Sequence, residues 1–175
     1  MFKKLIISIL IVIINILCLS IISKNTFVES NIEDNEIIEY RKDYLGIIEI
    51  PKLKLKRYFY EFDDEKNTVE KNIMLIEKSS MPDEKNGNII FAAHRGRSKV
   101  AFFDKLHLIE YGDEIIIYYN NKKYTYQYNN RYDVPKNGHI KIVRDLNKTT
   151  VTLITCKKGT SKQTVFVGYL TDNAL

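Results

Sequence analysis

Between Leu5 and Ile22 the chain reads LIISILIVIINILCLSII, 18 residues without a single charge. As a helix this run is about 27 Å long, close to the roughly 30 Å hydrocarbon core of a bilayer. It confines any globular fold to the residues beyond Ile22. Lys3 and Lys4 precede the run, and Lys24, Glu29, Glu33, Asp34 and Glu36 come after it. Basic residues stay on the cytoplasmic side, so the rest of the chain is expected outside the cell. A cleaved signal peptide is the competing reading. It calls for a shorter apolar stretch and a small-residue cleavage site, and neither is evident. A lipid anchor at Cys18 fits poorly, because Asn15-Ile16-Leu17 precede it. The expected organisation is a cytoplasmic N-terminus (1–4), a single transmembrane signal anchor (5–22), an extracytoplasmic stalk (23–42) and one domain (43–175). No second apolar run lies near Leu175, so a free C-terminus is expected.

Charge narrows the partners of that domain. The chain carries 27 Lys+Arg and 22 Asp+Glu, and three of the lysines precede residue 25 while every acidic residue lies beyond it. Residues 25–175 thus carry 24 − 22 = +2. A nearly balanced domain lacks the clustered basic surface that reads phosphate, so no nucleic-acid partner is expected. Only Cys156 lies in the domain, which excludes a disulfide within it.

The pattern after residue 43 is mainly β. GIIEI (46–50) ends at Pro51, which cannot donate to a ladder. KLKLKRYFYEF (52–62) alternates with period two, as do residues 123–132, and Asn120-Asn121 before the latter predicts a tight hairpin turn. IIFAA (89–93), residues 114–119, 151–156 and 164–170 complete the strands. Short helices are predicted over 68–77 and 100–108, and 133–148 reads as a loop. Seven or eight short strands at this spacing predict a closed antiparallel barrel.

His94 and Cys156 each end an apolar run expected to be a buried strand, where a rigid scaffold presents reactive groups to a cleft. A nucleophilic thiol needs a nearby base, commonly His. The alternative is a buried, inert Cys156. His107 and His139 have weaker contexts and read as structural. Three histidines with no H-x-x-x-H or C-x-x-C spacing give no metal site, and no cofactor is expected.

Four blocks in order, GIIEIPKLKL (46–55), NGNIIFAAHRG (86–96), AFFDKLHLIEYGDEIIIYY (101–119) and VTLITC (151–156), resemble the sortases. These are membrane-anchored cysteine transpeptidases of Gram-positive bacteria. The TLITC block is the most specific, and the HRG…FFDKL…GD run looks more like class A or D than class B or C. The resemblance spans about residues 43–170. It implies an eight-stranded sortase-type β-barrel with Cys156 as nucleophile and His94 as its acid/base partner. The implied substrate is the C-terminal, LPxTG-like sorting signal of a secreted surface protein. An amine of a peptidoglycan precursor or of a pilin would accept the acyl group. One departure stands out. Sortases carry an arginine shortly before the last strand, and none comes after Cys156 here. Aligning VFVG with that strand puts Gln163 at the arginine's position, beside Lys162. The two are the candidates for its role, a neutral amide being able to donate to an oxyanion. The lost charge also raises an alternative, a sortase-fold protein that binds sorting signals with little or no turnover. An L,D-transpeptidase is a more distant alternative, because its nucleophile lies in a Ser/Gly-rich motif followed by Arg, unlike LITCKKG.

Overall fold

Period-two patterning builds one sheet. A computed structural model describes residues 43–174, so the expected anchor (5–22) and stalk lie outside the described residues. Among the described residues no helix is long and apolar enough to cross a membrane. The strands are β1 (Gly46–Ile50), β2 (Leu55–Phe59), β3 (Met74–Leu75), β4 (Asn88–Ala92), β5 (Glu114–Tyr119), β6 (Lys122–Pro135), β7 (Thr150–Cys156) and β8 (Lys162–Ala174). They form a single eight-stranded sheet in the order β2-β1-β5-β6-β8-β7-β4-β3. It curls into a nearly closed barrel with β2 and β3 at its edges.

Asn120 and Asn121 both adopt left-handed backbone, with φ of 49° and 58°. Tyr119 pairs with Lys122 across them, which makes the predicted two-residue hairpin between β5 and β6. Gly46 is required by close approach, since a Cβ there would lie 2.5 Å from both the Phe59 ring and the Tyr118 carbonyl oxygen.

Three expectations are corrected. The sheet is not wholly antiparallel, because β4 and β7 run parallel, with Asn88 opposite Thr150 and Ala92 opposite Ile154. The run 68–77 is not a helix. Asn67 accepts from the Leu75 amide at 2.7 Å and donates to the Leu75 carbonyl at 3.0 Å, drawing Met74–Leu75 out as an edge strand on β4. Residues 100–108 form turns ending in one 3-10 segment, Leu106–Leu108.

Each strand of the β4–β7–β8 region has two apolar faces. Inside the barrel, Ile89, Phe91, Val151, Leu153 and Phe166 join the main core with Ile48, Ile115 and Tyr126. On the other face Ile90, Ile154, Val165 and Val167 form a second cluster, against which Ala92, Val134, Ile140 and Ile142 pack. Strands buried on both faces read as continuous apolar runs, which is why IIFAA and VTLIT show no alternation.

Candidate active site at the ends of two parallel strands

The β4/β7 register decides where the two candidate residues lie. Partners in this pair differ by 150 − 88 = 62 positions, and so do His94 and Cys156, since 156 − 94 = 62. The ladder continues past Ala92, with the Ala93 amide donating to the Ile154 carbonyl at 3.2 Å. The buried Thr155 hydroxyl donates to the Ala93 carbonyl at 2.9 Å. His94 and Cys156 each come two residues after the last paired position, Ala92 opposite Ile154, so the chain leads both to the same end of the sheet. Lower down, Asn88 Oδ1 accepts from the hydroxyls of Thr150 (2.8 Å) and Thr152 (2.9 Å), fixing the register with buried, satisfied polar groups. Thr155 belongs to the TLITC block, but its hydrogen bond was not legible there, because its partner is a carbonyl brought near only by the register.

Cys156 is a free, half-buried thiol. His94 is also partly exposed, with Glu70 Oε1 3.9 Å from its Nε2. Its backbone is held because the His94 carbonyl accepts from the Phe103 amide at 3.1 Å. Two positions further on, the Gly96 amide donates to Asp104 Oδ1 at 3.2 Å. Gly96 has φ of 134°, which a side chain there would strain.

Gln163 lies directly opposite Cys156 across the β7/β8 ladder. Opposite residues share a face of a sheet, so this amide and the thiol project to the same side. Lys162, exposed, is one step further along β8 opposite Pro135, and so alternates to the other face. Gln163 lines a groove of about 400 Å³ with Ile76, Ile90, Ala92, Ile140 and Ile154. The groove is mostly apolar, and His139 and Lys78 are its basic groups.

Residues 136–149, which form no strand, make one wall of this groove. Tyrosine hydroxyls tether them. Tyr132 accepts from the Val143 amide at 2.6 Å and donates to the Lys141 carbonyl at 3.2 Å, while Tyr169 accepts from the Asp145 amide at 3.1 Å. Tyrosine content alone could not single these two out. His107, read as structural, lies 3.0 Å through Nδ1 from the Asp104 carbonyl. Among the described residues no group of three or more His, Cys, Asp or Glu side chains gathers as a metal site.

Chemically, this end of the sheet offers a thiol, an imidazole and an amide donor, and the Gln163 amide borders an apolar groove. Comparison with known proteins identifies the family and the fold. The family model described as "Sortase domain" matches residues 48–171. Curated protein sequences give no match. Sortase C of Streptococcus pneumoniae has a similar structure, with a TM-score of 0.66 at 22% identity over 77% of this chain and 72% of that one. Sortase C1 of Streptococcus agalactiae gives 0.64 at 26% identity, over 81% and 74%. Sortase A of Listeria monocytogenes gives 0.63 at 20% identity, over 75% and 90%. Neighbours of classes A and C score alike, so the class A/D expectation is not distinguished. With most of its length matched by that family model and its fold shared with these structures, the chain belongs to the sortases, a family of cysteine transpeptidases.

Proposed function

We propose that this sortase cleaves an LPxTG-like C-terminal sorting signal and joins the surface protein to a cell-wall amine. The observation that carries the reading is the β4/β7 register, in which Ala92 is opposite Ile154 and His94 and Cys156 each follow two residues later. The Cys156 thiolate attacks the carbonyl carbon of the signal's Thr, and the C–N bond to Gly breaks. His94 gives its proton to the leaving amine, and a thioester remains on Cys156. An incoming amine then attacks the thioester carbon. The C–S bond breaks, Cys156 leaves as thiolate, and His94 takes the amine's proton. Splitting acyl transfer into two steps is the contribution of covalent catalysis.

Gln163 is suited to donate its amide hydrogen to the oxyanion that forms at the thioester carbon in each step. It stands opposite Cys156, on the groove side. Lys162 adds positive charge nearby on the alternate face. A neutral donor favours slow chemistry, loss of an oxyanion donor elsewhere costing about 10²–10³ in rate. The run over 5–22 supports an anchor holding the domain outside the cell membrane, where sorting signals and peptidoglycan or pilin amines are available.

The test is transpeptidation by the full chain in detergent, with a panel of sorting-signal peptides and amine acceptors. Amide product from wild type and none from Cys156→Ala supports the reading. Wild-type turnover retained in a Gln163→Ala/Lys162→Ala double variant removes those residues from the mechanism. A second reading, signal binding without turnover, is favoured by the neutral Gln163 where sortases carry arginine. It predicts peptide binding that survives Cys156→Ala and no product from wild type.

A further inference from the structure

Past the strand ends, on the face away from the groove, lies a second cavity of about 330 Å³. Arg95, Arg131, Lys157, His107, Asp133 and Thr164 contribute to its wall. Three of them are sequence neighbours of the proposed site: Arg95 comes after His94, Lys157 after Cys156, and Thr164 after Gln163. Gln163 and Thr164 are consecutive in β8, and alternation along a strand turns them to opposite faces, while Arg95 and Lys157 lie just past the ends of β4 and β7. The cavity therefore meets the same strand ends as the groove, from the other side.

Its charge is unbalanced. Three permanent cations, Arg95, Arg131 and Lys157, face one carboxylate, Asp133, an excess of 3 − 1 = +2 with His107 neutral. Asp133 is already engaged by Lys157 and by the Thr164 hydroxyl at 2.9 Å. Arg131 spends one donor on the His107 carbonyl at 3.2 Å. Arg95 Nε is buried with no hydrogen-bond partner. Buried donors are nearly always satisfied, and an unsatisfied guanidinium nitrogen in a cationic cavity calls for an acceptor.

We infer that this cavity is the acceptor subsite and holds a carboxylate carried by the attacking amine. The inference rests on the sortase reading and adds to it the chemical class of the second substrate. Once the thioester forms, the acyl peptide fills the groove, so the amine must approach from elsewhere. The cavity supplies that approach, its wall including Arg95 and Lys157, the residues that follow His94 and Cys156. A planar guanidinium fits a carboxylate through paired hydrogen bonds, which would engage the free Arg95 nitrogen. An acceptor bearing a carboxylate near its amine, such as a peptidoglycan stem amino acid or a short peptide, meets this requirement. An alkylamine without a carboxylate does not.

The experiment compares glycylglycine with glycylglycinamide as acceptors for the full chain in detergent. Wild type is expected to use the acid with about tenfold higher kcat/KM. That preference is expected to fall toward unity in Arg95→Gln and in Arg131→Gln, and to persist in Lys85→Gln, a remote control. Added salt weakens it. Equal use of acid and amide by wild type overturns the inference while leaving the sortase reading intact. A preference unchanged in both arginine variants overturns the location. O-phosphoethanolamine outcompeting glycylglycine overturns the carboxylate assignment. The same pair titrated against Cys156→Ala reads the subsite without turnover. Failure of wild type to form a thioester counts against the sortase reading alone, and equal binding of acid and amide by Cys156→Ala counts against this one.

Discussion

Leu153 and Ile154 are neighbours on β7 that serve different purposes. Leu153 is fully buried in the barrel interior, among Phe91 and Phe166. Ile154 is nearly as buried, at 4% exposure, but its cover is different. It lines the groove beneath residues 138–142, which belong to no strand. The inner face is closed by other strands of the sheet, the outer one by a tethered loop. A face covered by a strand barrel is committed to stability, whereas a loop-covered apolar face can exchange its cover for a ligand. The proposed pair lies at one end of the sheet, Cys156 as the last residue of β7 and His94 two residues past the end of β4.

The sharpest way to break this contrast is to truncate both neighbours. Leu153→Ala is expected to cost about 2–5 kcal/mol by denaturant unfolding, from lost burial and the cavity left behind. Ile154→Ala should cost less, because the loop can settle, and should instead raise KM for the signal peptide. Equal stability losses with unchanged KM would erase the distinction between the faces.

Next in size is the loop tether. Tyr132→Phe removes the hydroxyl that both accepts from Val143 and donates to Lys141. About 1 kcal/mol of local ordering is at stake, and hydrogen exchange over 138–146 should quicken with a several-fold rise in KM. A loop whose exchange does not change would mean that the tether is dispensable.

The inner face contains one polar misfit. Tyr126 is fully buried and its hydroxyl has no hydrogen-bond partner, and burial pushes its phenol well above the ordinary range. Tyr126→Phe is therefore expected to be neutral or stabilising by about 1 kcal/mol, read from denaturant midpoints. A clear loss of stability would reveal a partner for that hydroxyl.

The smallest effect concerns Asp133 at the rim of the cationic cavity. Its hydrogen bond from Lys157, chiefly, holds its carboxyl below the usual range. A depressed folded-state value contributes stability above the ordinary carboxylate pKa, and that contribution fades as pH falls through the depressed value. Asp133→Asn should thus lower Tm slightly near neutrality and not at all in strong acid. A difference that grows on acidification would have the wrong sign.

Local patterning made much of this fold legible. The residues of β5, the Asn120-Asn121 turn and the core of β6 are set by alternation and turn chemistry, which act over a few positions. The β4/β7 pairing was not legible, because IIFAA and VTLIT are apolar on both faces and carry no register mark. Nor was β3, where a single buried amide, Asn67, overrides the helical spacing of Val69, Ile73 and Ile76. At the candidate site, Cys156 and His94 were proposed from the TLITC block and the AHR step. Their arrival at the same end of the sheet, the Thr155 clamp on Ala93 and the orphaned Arg95 nitrogen depend on strands that meet only after folding.

The most direct measurement is the intact mass of the full chain after incubation with sorting-signal peptides and no amine. An acyl adduct on Cys156 is expected, absent in Cys156→Ala and released as a new amide when an acceptor is added. A broad panel of peptides that bind yet leave the mass of wild type unchanged would contradict the thioester mechanism.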